Sequence, residues 1–404
     1  MIKAAIMGYG TVGSGVYEIL DGNAEVVAGN AGQEIEVKYV LDLRDFPDHP
    51  HPEKFIKDFS IIENDPEITV VAEVMGGTGA AYEFTKRCLL AGKSVVTSNK
   101  ALVAKHGAEL IAIAKENNLN YEFEASVGGG IPIIRPMVQC LTANNMLAIT
   151  GILNGTTNYI LNRMIREGIS FDACLKEAQA LGYAEADPTA DVEGHDACRK
   201  IAILSDLAYG KNVATELVET EGISKITLRD VDYAEQAGCV VKLLGRAVLN
   251  EDKTIYAFVA PHFVSKSSPL ACVDGVYNAI LTTGDMLGDA MFYGQGAGKL
   301  ATASAVVADM IDCVIHSKNR RRLGWVDDGE NIVRPLDSFA SRWYVRLTGE
   351  DAAAKLSEAF PGAQLLALDG VTGEAACLTG ELTTAEMQAK KQALGTVAGS
   401  MRLL

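Results

Sequence analysis

Positive charge is in short supply in this chain of 404 residues: lysine and arginine number 36 against 52 aspartates and glutamates, a net charge of −16. Such a balance repels phosphate backbones and argues against a nucleic-acid partner, although a small anion needs only a local positive pocket. Long apolar runs are missing too, since no stretch approaches the roughly 18 residues that a membrane span requires. The N-terminal apolar run from Ile2 to Met7 is far too short for a signal peptide and glycine follows at once, so a cytoplasmic protein with no membrane partner is expected. Paired cysteines are also absent. The eight cysteines include no Cys-x-x-Cys, and none stands at zinc-ligand spacing from a histidine cluster, which points to reduced, mostly buried thiols. What remains is an ordinary globular balance, 48% hydrophobic and 22% charged, which excludes disorder, collagen-like structure and a small disulfide scaffold. At about 100–200 residues per domain, the length suggests two or three domains.

Along the first part of the chain, short apolar runs alternate with helical spacing. Lys3 to Met7, Glu34 to Leu41, Val70 to Met75 and Ser94 to Thr97 read as strands, while Val12 to Leu20, Tyr82 to Ala91 and Gly107 to Glu116 read as helices. This rhythm predicts a doubly wound α/β domain. Tyr121 to Val127 reads as a further strand and Ile133 to Leu141 as a helix. Beyond them the elements stop alternating strictly: strands at Leu147 to Leu153, Val240 to Val248 and Thr254 to Ala260 mix with helices at Tyr159 to Glu167, Phe171 to Leu181 and Asp196 to Ala208. A second, α+β domain is expected there. A long apolar helix from Thr302 to His316 is placed back against the first domain, 317–322 reads as a basic polar stretch, and Gly324 to Pro335 as a linker. The tail has a β-α-β-β-α-β rhythm, with strands at Trp343 to Leu347, Gln364 to Leu368, Ala375 to Thr379 and Ser400 to Leu404, which predicts a small ferredoxin-like domain. The expected division is 1–133 (completed by a helix near 302–320), 134–301 and 335–404.

Five places carry chemistry. Gly8-Tyr9-Gly10-Thr11-Val12-Gly13 lies between a strand and a helix, where glycines allow a tight turn, close approach to a pyrophosphate and close helix packing. Near the end of the next strand, at Leu41-Asp42-Leu43-Arg44-Asp45, an acidic residue would suit free ribose hydroxyls and Arg44 a 2′-phosphate, so the cues for NAD and NADP conflict, unless both are solvated loop charges. Thr97-Ser98-Asn99-Lys100 follows a strand, where open α/β sheets place ligands; Lys100 there could fix a carboxylate or orient a carbonyl, although a lysine at a strand end is more often surface decoration. Glu124 to Pro132 contains three successive glycines, which free backbone carbonyls for a hard cation or simply make a sharp turn. The loop from Gly182 to Asp196 is densely acidic, and Asp196 shares one helical face with Lys200; a carboxylate and an ammonium so placed can hold a bound hydroxyl, or form a plain surface ion pair. His195 has no partner in sequence and reads as a bystander. Gly294 to Lys299 forms a further glycine loop ahead of a helix.

Taken together, these residues resemble the homoserine dehydrogenases over essentially the whole chain. The resemblance rests on GYGTVG at 8–13, VMGG at 74–77, TSNKA at 97–101, ASVGGGIPII at 125–134, GILNGTTNYIL at 151–161, LGYAEADPTADVEGHDACRK at 181–200 and GQGAGKLATASAVVAD at 294–309. It implies a reversible NAD(P)-dependent reduction of L-aspartate 4-semialdehyde to L-homoserine, a step towards threonine and methionine. It implies that Gly8, Gly10, Thr11, Val12 and Gly13 hold NAD or NADP, with Gly182 and Gly296 lining it and Lys100 between cofactor and substrate. Glu185 and Asp196 would hold the substrate, and Lys200 would give the proton to the aldehyde oxygen. Glu124, Val127, Gly129 and Ile131 match the positions where the family binds a monovalent cation such as sodium. A homodimer or homotetramer is implied, and the tail resembles an ACT domain. Two departures stand out: Gln295 replaces the family's proline, and Glu350 to Lys355 lacks the Asp-x-Pro-Gly turn of ACT effector sites, which leaves threonine regulation and mere assembly both open.

Other classes fit less well. A dinucleotide- or amino-acid-sensing protein on the same fold would not need Lys100, Asp196 and Lys200 together. An acylating semialdehyde dehydrogenase would need an activated cysteine, and no cysteine lies in a motif that would activate it.

Overall fold

The structure, a computed structural model, describes residues 1–317 and 324–404. Six parallel strands form the first sheet: β1 (Ile2–Met7), β2 (Ile35–Leu41), β3 (Phe55–Ile56), β4 (Ile68–Glu73), β5 (Ser94–Thr97) and β6 (Tyr121–Glu122), in the order β3-β2-β1-β4-β5-β6. This is the doubly wound order, whose strand direction of travel reverses between β1 and β4 and opens a ligand crevice at their carboxyl ends. Burial on both faces explains the sequence of β1, where Ala4, Ala5, Ile6 and Met7 are wholly enclosed. The expected returning helix is present as Lys299–Ile315 and packs on the helix Thr11–Gly22. A Cβ at Gly15 would meet the Ala303 methyl at 2.9 Å, so only glycine allows this approach. The end of that expected helix, 318–320, and the basic stretch 318–322 lie outside the described residues.

The strand expected over Tyr121 to Val127 is shorter. β6 ends at Glu122 and the chain turns through a 3-10 turn, Glu124–Ser126. The cause is Glu124: its N–H donates to Asp309 at 2.8 Å, and its carboxylate accepts from the amides of Ile133, Ile134 and Arg135 at 2.7–2.8 Å. A side chain spent on capping the helix Ile134–Gln139 bends the backbone out of the sheet.

The second sheet has ten strands. β7 (Met146–Ile152), β8 (Glu219–Thr220), β9 (Cys239–Leu249), β10 (Ile255–Ser265), β11 (Tyr277–Gly284) and β12 (Gly288–Gln295) precede the tail. The β11–β12 hairpin escaped the sequence reading because β12 is an edge strand whose short apolar run, Ala290 to Tyr293, is set between glycines and stays partly exposed. In the tail, β13 (Ala340–Ser341) and β17 (Leu382–Thr383) pair separately, while β14 (Trp343–Thr348), β15 (Gln364–Leu366), β16 (Glu374–Leu378) and β18 (Gly399–Leu403) form the order β18-β14-β16-β15. Counting these four tail strands alone, the order is fourth-first-third-second and all pairs are antiparallel, as the β-α-β-β-α-β reading requires. The tail is not separate from the second sheet. β18 pairs in parallel with β10 through His262–Arg402 and Phe263–Leu403, so one continuous sheet runs from β12 to β15. Among the described residues no helix is long and apolar enough to cross a membrane.

Candidate functional site

The glycine turn sits at the mouth of the first sheet. Gly8 has φ +98° and a Cβ there would meet Met75 and the Val74 carbonyl at 3.0 Å. At Gly13 a Cβ would lie 1.9 Å from the Gly8 carbonyl, so helix and strand can touch only without a side chain. Gly10 differs: a Cβ would meet nothing within 4 Å. The open space lies above the N-cap of helix Thr11–Gly22, which has no side-chain cap, so the first N–H groups at Thr11 and Val12 face outward as an anion cradle. The turn therefore fits a dinucleotide pyrophosphate. Gly10→Ala is expected to leave the melting temperature nearly unchanged while weakening NAD(P)H binding about tenfold or more, or ~1.4 kcal/mol. Fluorescence titration of NADPH alongside a thermal melt checks this. Beside the turn, Asp42 and Arg44 bind each other rather than standing apart: Arg44 Nε donates to Asp42 Oδ1 at 3.0 Å, and Asp42 Oδ2 accepts from the Tyr9 amide at 2.8 Å. The Arg44 guanidinium holds the Asp42 carboxyl well below the usual carboxylate range.

Lys100 stands at the carboxyl end of β5, as the first residue of the helix Lys100–Glu116. Its approach is fixed by a buried network. Glu73 accepts from the Thr97 hydroxyl at 2.6 Å, Asn99 donates to the Gly77 carbonyl at 2.6 Å, and Asn99 Oδ1 caps the helix at Leu102. From the other side, the helix His195–Tyr209 carries Asp196 and Lys200 one turn apart, 4% and 7% exposed. Asp196 Oδ2 accepts from Lys200 Nζ at 2.7 Å, and its Oδ1 lies 2.7 Å from Lys100 Nζ. Lys200 also donates to the Leu153 carbonyl at 2.7 Å. Lys100 is the more open partner, its side chain 40% exposed.

Two ammonium groups thus share one carboxylate. Burial alone would raise the Asp196 carboxyl, but Lys200 and Lys100 together hold it well below the usual range. Burial pushes the Lys200 ammonium down; Asp196 opposes this and Lys100 adds to it, and the net shift is downward. Asp191 is raised, first by burial, with Asn154 opposing.

Sequence reasoning missed two members of this cluster. Asn154 Nδ2 bridges Asp191 and Asp196 at 2.7 and 2.9 Å while its Oδ1 caps its own helix at Thr157. The string Asn-Gly-Thr-Thr before an apolar helix is a capping signal that could have drawn attention to it. The Leu153 carbonyl, which takes one Lys200 hydrogen, has no signal in sequence at all. Glu185 and Gly182 sit on an exposed turn after the helix Phe171–Ala180, and the Glu185 carboxylate touches none of Lys100, Asp196 and Lys200. Thr156 ties that turn to the cluster by donating to the Tyr183 carbonyl at 2.6 Å. His195 is exposed, as expected of a bystander.

The loop Gly128–Gly130 lies against the second glycine loop. A Cβ at Gly129 would meet the Gly296 carbonyl at 2.6 Å, and the Gly130 amide donates to the Gln295 carbonyl at 3.1 Å. Gly296 itself is pressed against Asn278, whose amide nitrogen would be 2.0 Å from a Cβ there. Among the described residues, the carbonyls of Val127, Gly129 and Ile131 accept no hydrogen bond, which leaves them able to meet a hard cation. The Glu124 carboxylate is not among those free oxygens, because three amides occupy it.

A doubly wound sheet with a glycine turn shaped for a pyrophosphate and a buried lysine–carboxylate pair beside it has the make-up of a dinucleotide-dependent oxidoreductase. The comparisons give the particular family. Residues 132–311 match the family model described as homoserine dehydrogenase, and residues 8–124 the one described as homoserine dehydrogenase, NAD binding domain. The homoserine dehydrogenase of Neisseria gonorrhoeae is 40% identical over 398 residues, covering 96% of this chain and 90% of that protein. That of a Synechocystis species is 46% identical over 367 residues, covering 87% and 83%. The crystal structure of the Thiobacillus denitrificans homoserine dehydrogenase superposes with a TM-score of 0.91 at 36% identity, covering 100% of this chain and 98% of that one. A hyperthermophilic archaeal homoserine dehydrogenase mutant in complex with NADPH superposes at 0.66 with 29% identity, covering 79% and 99%. The chain belongs to the homoserine dehydrogenase family.

Proposed function

We propose that Lys200 gives the proton to the carbonyl oxygen when L-aspartate 4-semialdehyde is reduced to L-homoserine, and takes it back in the reverse direction. The observation that carries this is the Lys200 ammonium itself. It has three N–H bonds; two go to Asp196 and Leu153, and the third is left for a substrate oxygen. Bound NAD(P)H supplies the hydride. As that oxygen gains negative charge, a cluster with two cations and one close carboxylate opposes it with net positive charge, in a site with little water. Asp196 orients both lysines. Lys100, at the end of β5 on the cofactor side, positions the two reactants. Glu185, free on its turn, takes the substrate ammonium, with Asp196 as a second anchor; Gly182 and Gly296 line the cofactor.

The same geometry sets a pH dependence. Lys200 must be protonated for reduction and neutral for oxidation. Its pKa is lowered, so homoserine oxidation is expected to rise with pH through a breakpoint below the ordinary lysine value of 10.5, and semialdehyde reduction to fall through the same region. Steady-state profiles in both directions check this; profiles that move together would contradict it.

The remaining organisation follows the same reading. We infer a cofactor domain over 1–133 completed by the returning helix, a substrate and dimerisation domain over 134–301, and an ACT-like tail over 335–404, for which the fourth-first-third-second strand order is the support. Residues Tyr277, Met286, Leu287, Met291 and Tyr293 expose apolar surface on the β11–β12 hairpin and fit a homodimer contact, with a homotetramer open to the tail. A sodium ion would rest on the carbonyls of Val127, Gly129 and Ile131, with Glu124 holding the loop from behind and joining only through its backbone. Eight free cysteines agree with a reducing cytoplasm. The tail serves assembly or takes threonine as effector; kinetics with and without threonine separate the two.

A further inference from the structure

One face of the continuous sheet carries cations that form no ion pair with a carboxylate among the described residues. Across β9, β10 and β18, Arg246 stands opposite Phe258, and His262 stands opposite Arg402. Phe258 and His262 are four residues apart on β10, so these side chains project to one side. The Phe258 ring is their common floor. The Arg246 guanidinium carbon is 5.7 Å from its centre, that of Arg402 is 5.1 Å away, and the His262 ring stacks on it at 5.9 Å. Phe339 lies 5.7 Å from Arg246, and Trp343 lies 4.4 Å from Arg402.

These groups are buried and short of partners. Arg402 is 7% exposed and His262 0%, while Arg246 is partly exposed. Among the described residues Arg246 makes no side-chain hydrogen bond and no ion pair. Arg402 makes one side-chain hydrogen bond, from Nη2 to the Thr384 hydroxyl at 3.3 Å. The Nε atoms of both arginines and Nε2 of His262 are buried without a partner. Glu219 and Glu221 attract Arg402 from a distance, but both are exposed and neither forms an ion pair with it. Burial pushes Arg246 down to about 10, with Arg402 adding to it, and burial with both arginines drives His262 well below its usual value. Guanidinium groups stay charged in proteins, so this arrangement asks for a counter-charge that no described residue supplies by direct contact. Ring stacking offers them faces but no acceptor.

We propose that Arg246 and Arg402 bind a small oxyanion, a carboxylate or a phosphate, at the seam where β18 joins the tail to β10. Arg246 is the more exposed of the two and Arg402 the deeper, and the planar forks of the two side chains suit paired oxygens. The site is separate from the Lys200 cluster and does not depend on it.

The test is thermal melting and calorimetric titration of the full chain with inorganic phosphate and with acetate, against sodium chloride at equal ionic strength. A rise in melting temperature beyond chloride, with saturable heat, is expected from phosphate if the site takes phosphates and from acetate if it takes carboxylates. Arg246→Gln is expected to abolish the effect at least tenfold in affinity while keeping homoserine oxidation; Arg402→Gln is a second variant deeper in the site. If neither anion exceeds chloride, or if Arg246→Gln responds like the unaltered chain, the proposal is overturned and the arginines are held by stacking alone.

Discussion

Lys200→Ala is expected to lower kcat about 10²–10⁴-fold in both directions, the usual worth of a positioned proton donor, while the dissociation constant for NADPH stays within about twofold. The split follows from the geometry. Lys200 reaches Asp196 and Leu153 on the substrate side, whereas the phosphate cradle at Gly10 lies on another element of another sheet. Folding survives the change because Asp196 keeps Lys100 at 2.7 Å and Asn154 at 2.9 Å, so no buried carboxylate is stranded. Steady-state kinetics with homoserine, together with a cofactor titration and a thermal melt, read the three quantities separately. Near-normal turnover would remove Lys200 from the chemistry.

Asp196→Asn should be the more damaging change to the protein as a whole. It leaves two lysines facing each other without the anion between them, one of them buried. Breaking a buried ion pair costs about 3–5 kcal/mol, and the lower end applies because Lys100 is well exposed to solvent. The Lys200 ammonium, already lowered by burial, loses its main support and falls further. Semialdehyde reduction is then expected to drop about 10²-fold near neutrality, with the breakpoint of homoserine oxidation moved to lower pH. A lysine with a depressed pKa is destabilised in its charged form, so the penalty is greatest at low pH and eases as pH rises through that pKa. Urea unfolding at two pH values reads the stability part; a stability unchanged at both would mean that Asp196 carries no charge balance.

Much of this was legible in the residues because it is local. Gly8, Gly10 and Gly13 carry their meaning within six positions, and Asp196 and Lys200 fall on one helical face by spacing alone. Lys100 follows β5, where an open sheet collects its ligands, but position alone favours a surface lysine and its weight comes from the resemblance. What the sequence hid is what folding brings from afar. The Leu153 carbonyl lies 47 residues from Lys200, and Asn154 lies 42 from Asp196. No pattern marks a backbone oxygen as a lysine partner. The shortened β6 was hidden for the same reason: Glu124 bends the chain by binding Asp309, which is 185 residues away. Continuity between β10 and β18 was invisible because the tail's own rhythm is complete without it, and the unpaired arginines come together only through that seam.

The most direct test of the central claim is a crystal structure of the chain with oxidised cofactor and homoserine. The predicted result places the homoserine hydroxyl oxygen within about 2.6–3.2 Å of Lys200 Nζ, with Asp196 still between the two lysines. A hydroxyl bound elsewhere, with Lys200 still closed against Asp196 and Leu153, would contradict it.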